Sequence, residues 1–361
     1  MGENTEVFKA ALTAQRNGRL DEAEALYRTL LHTEHAPVFA NLGVALRITG
    51  RLDEAESMLR RAVAIDPVTS GVRHSLGMTL IQAGRYAEGW RLYEARHEYL
   101  PRPRPHDSIP EWCGESLKGR RVLVIVEQGF GDQILLSRFL PLLAQEAGNV
   151  AFLCAAPTLP LFAQMPYGAF NVGSFDHLEA DVWLSLGSVA AYLGACPDDA
   201  PAPTILTPKP LQSRGGLGLM LGGKESNANN RYRLPPPNAA SAIRAIADFV
   251  DLDPKATGAK NFQQTAEIIA GLDGVVTVDT SVAHLAGAMG KPCLILAPRP
   301  AIDWYTSWSN DRTPWYPSAR IIRQRAPGDW MGVVADLKRE IGSISLGGAI
   351  KCGSGQESYI A

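Results

Sequence analysis

The motif Gly-Arg-Leu-Asp-Glu-Ala-Glu is the strongest constraint on this chain. It occupies positions 18–24 and returns at 50–56, with a degraded copy, Gly84-Arg85-Tyr86-Ala87-Glu88-Gly89-Trp90, further on. Leu42-Gly43 and Leu76-Gly77 are offset by 34 residues. A period of that length is one helix–turn–helix unit, which cannot bury its apolar face alone, so neighbours must stack into a continuous core and about three units are the minimum. Small residues stand where paired helices must approach, Gly43 facing Ala55 among them, and Pro67 and Pro101 close the last two units, because proline cannot continue a helix. Residues 1–100 are therefore read as a helical array. Two uses are open for so short an array: a concave surface that grips a polypeptide, or a platform or dimerisation face.

The texture changes after Tyr93-Glu94-Ala95-Arg96, where the last unit ends. The proline-rich stretch from Leu100 to Trp112 reads as extended, and 101–118 is assigned as a linker. A chain of 361 residues with 46% hydrophobic and 20% charged residues has room for two or three domains with ordinary cores. A net charge of −2 gives no reason to expect nucleic acid, whose non-specific binding needs clustered Lys and Arg. The five cysteines (Cys113, Cys154, Cys196, Cys293, Cys352) form no C-x-x-C pair, which favours a reducing compartment over a disulfide framework or a zinc site. The acidic N-terminus has no apolar signal-peptide core, and no uncharged apolar run reaches the ~20 residues of a membrane span. The expectation is a cytoplasmic protein.

Beyond the linker, Arg121–Val126 reads as a buried strand, broken by Glu127-Gln128-Gly129-Phe130-Gly131-Asp132 and followed by an amphipathic helix over about 133–145. Strand, glycine turn and helix open a doubly wound unit, whose ligands bind beyond the carboxyl ends of the strands. Gly129 and Gly131 let a ligand approach the backbone, and a helix N-terminus offers free N–H groups. A second instance runs from the strand 274–278 through Asp279-Thr280-Ser281 into a helix over 282–289, then Gly290-Lys291-Pro292 and a strand over 293–297. Between them, Gly216–Leu221 reads as the first strand of a second lobe and leads into a polar loop with Lys224, Arg231 and Arg233. The proline-rich stretch 197–210 fits a hinge. Lobes over 119–205 and 206–345 follow, with a C-terminal helix over about 329–341 and a glycine- and serine-rich tail, 346–361, expected to lack fixed structure.

Three segments carry a family resemblance: VIVEQGFGDQILLSRFLP (124–141), DTSVAHLAGAMGKP (279–292) and Trp315-Tyr316-Pro317. With the repeats, whose register matches tetratricopeptide repeats, they resemble bacterial tetratricopeptide-repeat glycosyltransferases, whose C-terminal domain is similar to the heptosyltransferase group of GT-B enzymes. The fold so implied is an α repeat array followed by a two-lobed, Rossmann-like α/β domain. The resemblance makes Asp132 the general base. It places the diphosphate of a nucleotide-sugar donor on the turn of Thr280, Ser281, Val282 and His284, with Lys224 and Arg231 neutralising phosphate and the Gly129–Gly131 turn alongside. It also implies inverting transfer without a metal, no cofactor beyond the donor, and a protein acceptor recruited by the repeats. The second-lobe loop departs from the family pattern G-N-P-x-H-x-N-D-R-x-R-S at Asn227, Asn230 and Leu234, and 249–262 is short for a region that holds the nucleotide base.

Transfer from a nucleotide diphosphate needs a base for the acceptor proton and stabilisation of the leaving diphosphate. A carboxylate at a helix N-terminus is expected to stay ionised, a ready but weak base. Blander roles stand beside these. Asp132, Thr280 and Ser281 are residue types that cap helices, His284 fits a core histidine beside Asp279, and Lys224, Arg231 and Arg233 fit solvated loop charges. Trp304, Tyr305, Trp308, Trp315 and Tyr316 could stack on a ligand or pack the C-terminal helix. Two rivals to the enzyme remain at this stage: a recruitment scaffold with a degenerate GT-B-like domain, and a nucleotide-sugar sensor.

Overall fold

The computed structural model describes residues 2–105, 108–165, 167–171, 179–223, 229–299, 305 and 311–345. Helices α1 (Gly2–Arg16), α2 (Leu20–Thr29), α3 (Ala36–Ile48), α4 (Leu52–Ile65), α5 (Ser70–Gln82) and α6 (Tyr86–Tyr93) form three antiparallel pairs. The motif's glycine is the turn of each pair. Gly18, Gly50 and Gly84 have φ of 77°, 89° and 80°, the left-handed region that glycine enters at least cost. Each turn then donates the next N–H back to the helix, Arg19 to Ala14, Arg51 to Leu46 and Arg85 to Leu80, at 2.8–2.9 Å. Gly43 does face the α4 backbone: a Cβ there would lie 3.1 Å from the Ala55 oxygen and 2.6 Å from Leu59 Cγ. One apolar cluster joins Tyr27, Leu42, Leu46 and Ala55, and the next joins Phe39, Leu59, Leu76 and Leu80, so burial is shared between neighbouring pairs.

A 3-10 turn (Glu94–Glu98) ends the array and the chain runs extended. The linker's end is tied down, because Trp183 N–H donates to the Pro110 oxygen and Trp112 N–H to the Trp183 oxygen, at 2.9 and 2.8 Å. Next come β1 (Arg121–Ile125), α7 (Phe130–Leu136), α8 (Leu140–Glu146), β2 (Asn149–Cys154), α9 (Leu159–Phe162), β3 (Gly168–Asn171), β4 (Val182–Ser185) and α10 (Leu186–Leu193). The strands are parallel in the order β3-β2-β1-β4. The single helix expected over 133–145 starts earlier and is broken by a 3-10 turn at Ser137–Phe139. Pro141 accounts for the break, since its ring crowds the carbonyl four residues back and it has no N–H to donate.

Everything up to Ala200 belongs to one compact unit, and a second unit begins at Pro201. The second contains β5 (Leu217–Met220), α11 (Asn230–Arg233), α12 (Pro237–Arg244), β6 (Phe249–Asp251), α13 (Pro254–Thr257), α14 (Phe262–Ala270), β7 (Gly274–Val278), α15 (Ser281–Ala288), β8 (Cys293–Ala297), β9 (Ala319–Arg323) and α16 (Trp330–Ser345). Its sheet is parallel in the order β6-β5-β7-β8-β9. Trp330, Val333, Val334, Leu337 and Ile341 of α16 pack with Ile243 on this sheet. Helical repeats followed by two Rossmann-like lobes are thus what the chain forms. The tail 346–361 lies outside the described residues. Among the described residues no helix is long and apolar enough to cross a membrane.

Candidate functional site

In each sheet the chain runs outward from the first strand, then returns to that strand's other side. The reversal falls between β1 and β4 in one sheet and between β5 and β7 in the other. Beyond the carboxyl ends of such a strand pair the connections diverge and leave a crevice. The glycine turn with Asp132 follows β1, and the Thr280–Ser281 turn follows β7.

In the first unit, Glu127, Gln128, Asp132, Gln133 and Leu136 line a small cleft with Leu186 and Gly187 from the start of α10. Asp132 is the third residue of α7, and its Oδ2 would lie 3.6 Å from a Cβ on Gly129, so the carboxylate turns back toward the start of the helix. Neither Gly129 nor any other residue of the turn has positive φ. Burial and the nearby Glu127 charge push Asp132 up to about 6, against the opposing backbone hydrogen bonds. The helix N-terminus does not by itself set its ionisation.

Glu127 supplies what the sequence reading left unused. Its side chain is 7% exposed, its Oε1 accepts Arg96 Nη2 at 2.6 Å and the Gly187 N–H at 3.2 Å, and its Oε2 lies 3.2 Å from His97 Nε2. Burial opposes its charge, yet the hydrogen bonds from His97 and Arg96 and the Arg96 charge hold it down at about 2. Arg96 is itself buried, lies 4.3 Å over the Tyr93 ring and also pairs with Glu94 at 2.6 Å. Gln128 donates its amide to the Tyr93 hydroxyl. Both segments were visible as sequence, but no local pattern pairs the end of a repeat with a turn 31 residues on.

In the second unit, Thr280 is the N-cap of α15. Its buried hydroxyl accepts the Val282 N–H at 3.3 Å and lies 3.3 Å from Thr277 Oγ1. Thr280 and the Val282 N–H are thus committed to the cap. Ser281 is partly exposed, with its N–H and hydroxyl turned to no partner among the described residues. His284 is buried, with Nδ1 3.0 Å from the Tyr316 hydroxyl. Trp315 and Tyr316 are buried as well, and the Tyr316 ring occupies the space a Cβ on Gly287 would need.

The basic residue brought to this turn is Arg233. It donates through Nη1 to the Asp279 oxygen at 2.9 Å and through Nε to Asn230 Oδ1 at 3.0 Å. Arg231 is exposed and stacks on Tyr232, 4.6 Å from the ring centroid. Two positions apart on one helical turn, only one of these arginines can face Asp279, and the sequence offered no means to choose. Lys224, Asn227, Trp304 and Trp308 lie outside the described residues.

Residues 233–325 match the model of glycosyltransferase family 9 (heptosyltransferase), and residues 9–29 and 38–65 match tetratricopeptide-repeat models. The chain joins tetratricopeptide repeats to a glycosyltransferase family 9 domain. Among curated proteins it is similar to Protein FlbA of Caulobacter vibrioides, 24% identical over 72% of this chain and 54% of that one. It spans about half the length of that relative. Similar solved structures include the following two. A glycosyl transferase family 9 protein from Veillonella parvula has 11% identity, TM-score 0.41, and covers 66% of this chain and 95% of its own. A Thermobaculum terrenum O-GlcNAc transferase mutant has 15% identity, TM-score 0.27, and covers 95% and 92%.

Proposed function

We propose that this family 9 protein transfers a sugar from a nucleoside-diphosphate donor to a hydroxyl group, by inversion and without a metal. The observation that carries this is Asp132, a partly exposed carboxyl in a cleft at a strand-order reversal, pushed above the usual carboxylate range to about 6. A base with a value nearer neutrality takes a proton more effectively during attack. In the step, the acceptor oxygen bonds to the anomeric carbon as the bond from that carbon to the diphosphate oxygen breaks. Asp132 takes the acceptor's proton and the electron pair leaves on the nucleoside diphosphate. The Ser281 N–H and hydroxyl with the remaining Nη2 donors of Arg233 are suited to receive that charge, with Lys224 and Arg231 as further cations of the same loop. A protein acceptor is favoured by the tetratricopeptide repeats at the front of the chain.

The test uses radiolabelled UDP-, GDP-, ADP- and CDP-sugars with a library of serine- and threonine-containing peptides. We expect label on peptide from one donor, with equimolar nucleotide release, in the presence of EDTA, and a loss of about 10²-fold or more in Asp132→Asn. Donor binding without transfer, unchanged by Asp132→Asn, would instead favour the sensor or scaffold.

A further inference from the structure

We propose that Glu127 is the positioning residue of the Asp132 turn and that the last repeat, through Arg96 and His97, holds Glu127 in place. This rests on the reading of Asp132 as the base. The turn 127–132 is pinned at both ends. At its start, Glu127 binds Arg96, His97 and the Gly187 N–H, and Gln128 binds Tyr93. At its end, the buried Gln133 donates to the Gln128 oxygen at 3.2 Å and accepts the Thr158 hydroxyl at 2.9 Å. The start of α10 leaves room for this arrangement only because residue 187 is glycine. A Cβ there would lie 2.7 Å from Arg96 Nη2 and 2.9 Å from Glu127 Oε1. Ser188 completes the cluster, donating to Glu94 Oε2 at 2.7 Å.

Among the described residues, the charged and titratable groups facing Asp132 are few. Glu127 comes from its own turn and the Tyr93 phenol from α6, with Arg96, Glu94 and His97 behind them from the 3-10 turn. The α7 and α10 residues lining the cleft, Gln133, Leu136, Leu186 and Gly187, are neutral. Burial is the first reason Asp132 ionises late, Glu127 is the negative neighbour that adds to it, and the helical repeats are part of how the site is built.

The experiment follows the Asp132 carboxyl carbon by NMR in aspartate-labelled full-length protein, assigned by its loss in Asp132→Asn. Removing a like charge favours ionisation, so Glu127→Gln should lower the midpoint by about 0.5–1 pH unit. Glu127→Asp, which keeps the charge, should recover part of that change. Trp90→Phe loses a hydrogen bond to the Ala195 oxygen at the same junction and should lower the melting temperature without moving the midpoint. Should Glu127→Gln fail to fold, Glu127→Thr, shorter and neutral, leaves Arg96 its Glu94 partner and should lower the midpoint likewise. An unmoved midpoint in the folded variant, or an equal change in Trp90→Phe, would overturn the proposal. The titration is read without donor or acceptor, so absence of transfer would count against the proposed function and not against this inference.

Discussion

Asp132 and Glu127 lie in one turn and respond to burial in opposite ways, because one has a cation beside it and the other does not. Asp132 has a folded value of about 6 against an ordinary 3.8. Between those limits the folded chain keeps a proton that the unfolded chain has released. The stability tied to this group is therefore full below about pH 4 and is lost as the pH rises through 6. Asp132→Asn should accordingly stabilise the protein at pH 7 by about 1–3 kcal/mol and change little at pH 4, as read by denaturant unfolding at both values. An equal effect at both would contradict the assigned environment. Asp132 itself was legible from its place after a buried strand. Why it holds its proton up to about 6 was not, because burial comes first and the Glu127 charge second, and Glu127 is held by residues of the repeat array.

The tetratricopeptide pairs show what an element needs from its sequence. The glycine of the repeated motif turns the chain, while Gly77 and Gly89 let α5 and α6 meet backbone to backbone. A Cβ on Gly77 would lie 2.6 Å from the Tyr93 nitrogen and 2.8 Å from the Gly89 oxygen, whereas on Gly43 its nearest neighbour is the Leu59 side chain. Backbone cannot move aside as a leucine can. Gly77→Ala should therefore cost about 1–3 kcal/mol by overpacking, and more than Gly43→Ala, in parallel thermal melts. Equal effects would mean that α5 and α6 separate freely. Exposed ion pairs such as Arg51–Glu24 and Arg60–Glu88 link successive pairs, but pairs of this kind contribute little each. The array was readable because its signal repeats in register. The break at Ser137–Phe139 is read from Pro141 only once the helix's start is known.

At the scale of the whole molecule, repeats and first lobe share one compact unit, and the second lobe forms another around its own sheet. The order of elements was readable from strand, turn and helix punctuation, and the family match over 233–325 falls where the Asp279 turn had been singled out. What sequence alone did not yield is which side chain of a pair faces inward: Arg233 over Arg231, Ser281 over Thr280, and Tyr316 as the partner of His284. Each of these is a choice made by tertiary packing. The central claim is a working nucleoside-diphosphate site beside Ser281 and Arg233, and calorimetric titration with UDP, GDP, ADP and CDP tests it most directly. We expect one nucleotide to bind with a micromolar Kd, binding to weaken about tenfold or more in Arg233→Met and Ser281→Ala as charge-assisted hydrogen bonds are lost, and Asp132→Asn to bind as the parent does. Failure of all four nucleotides to bind, or binding that both variants retain in full, would contradict it.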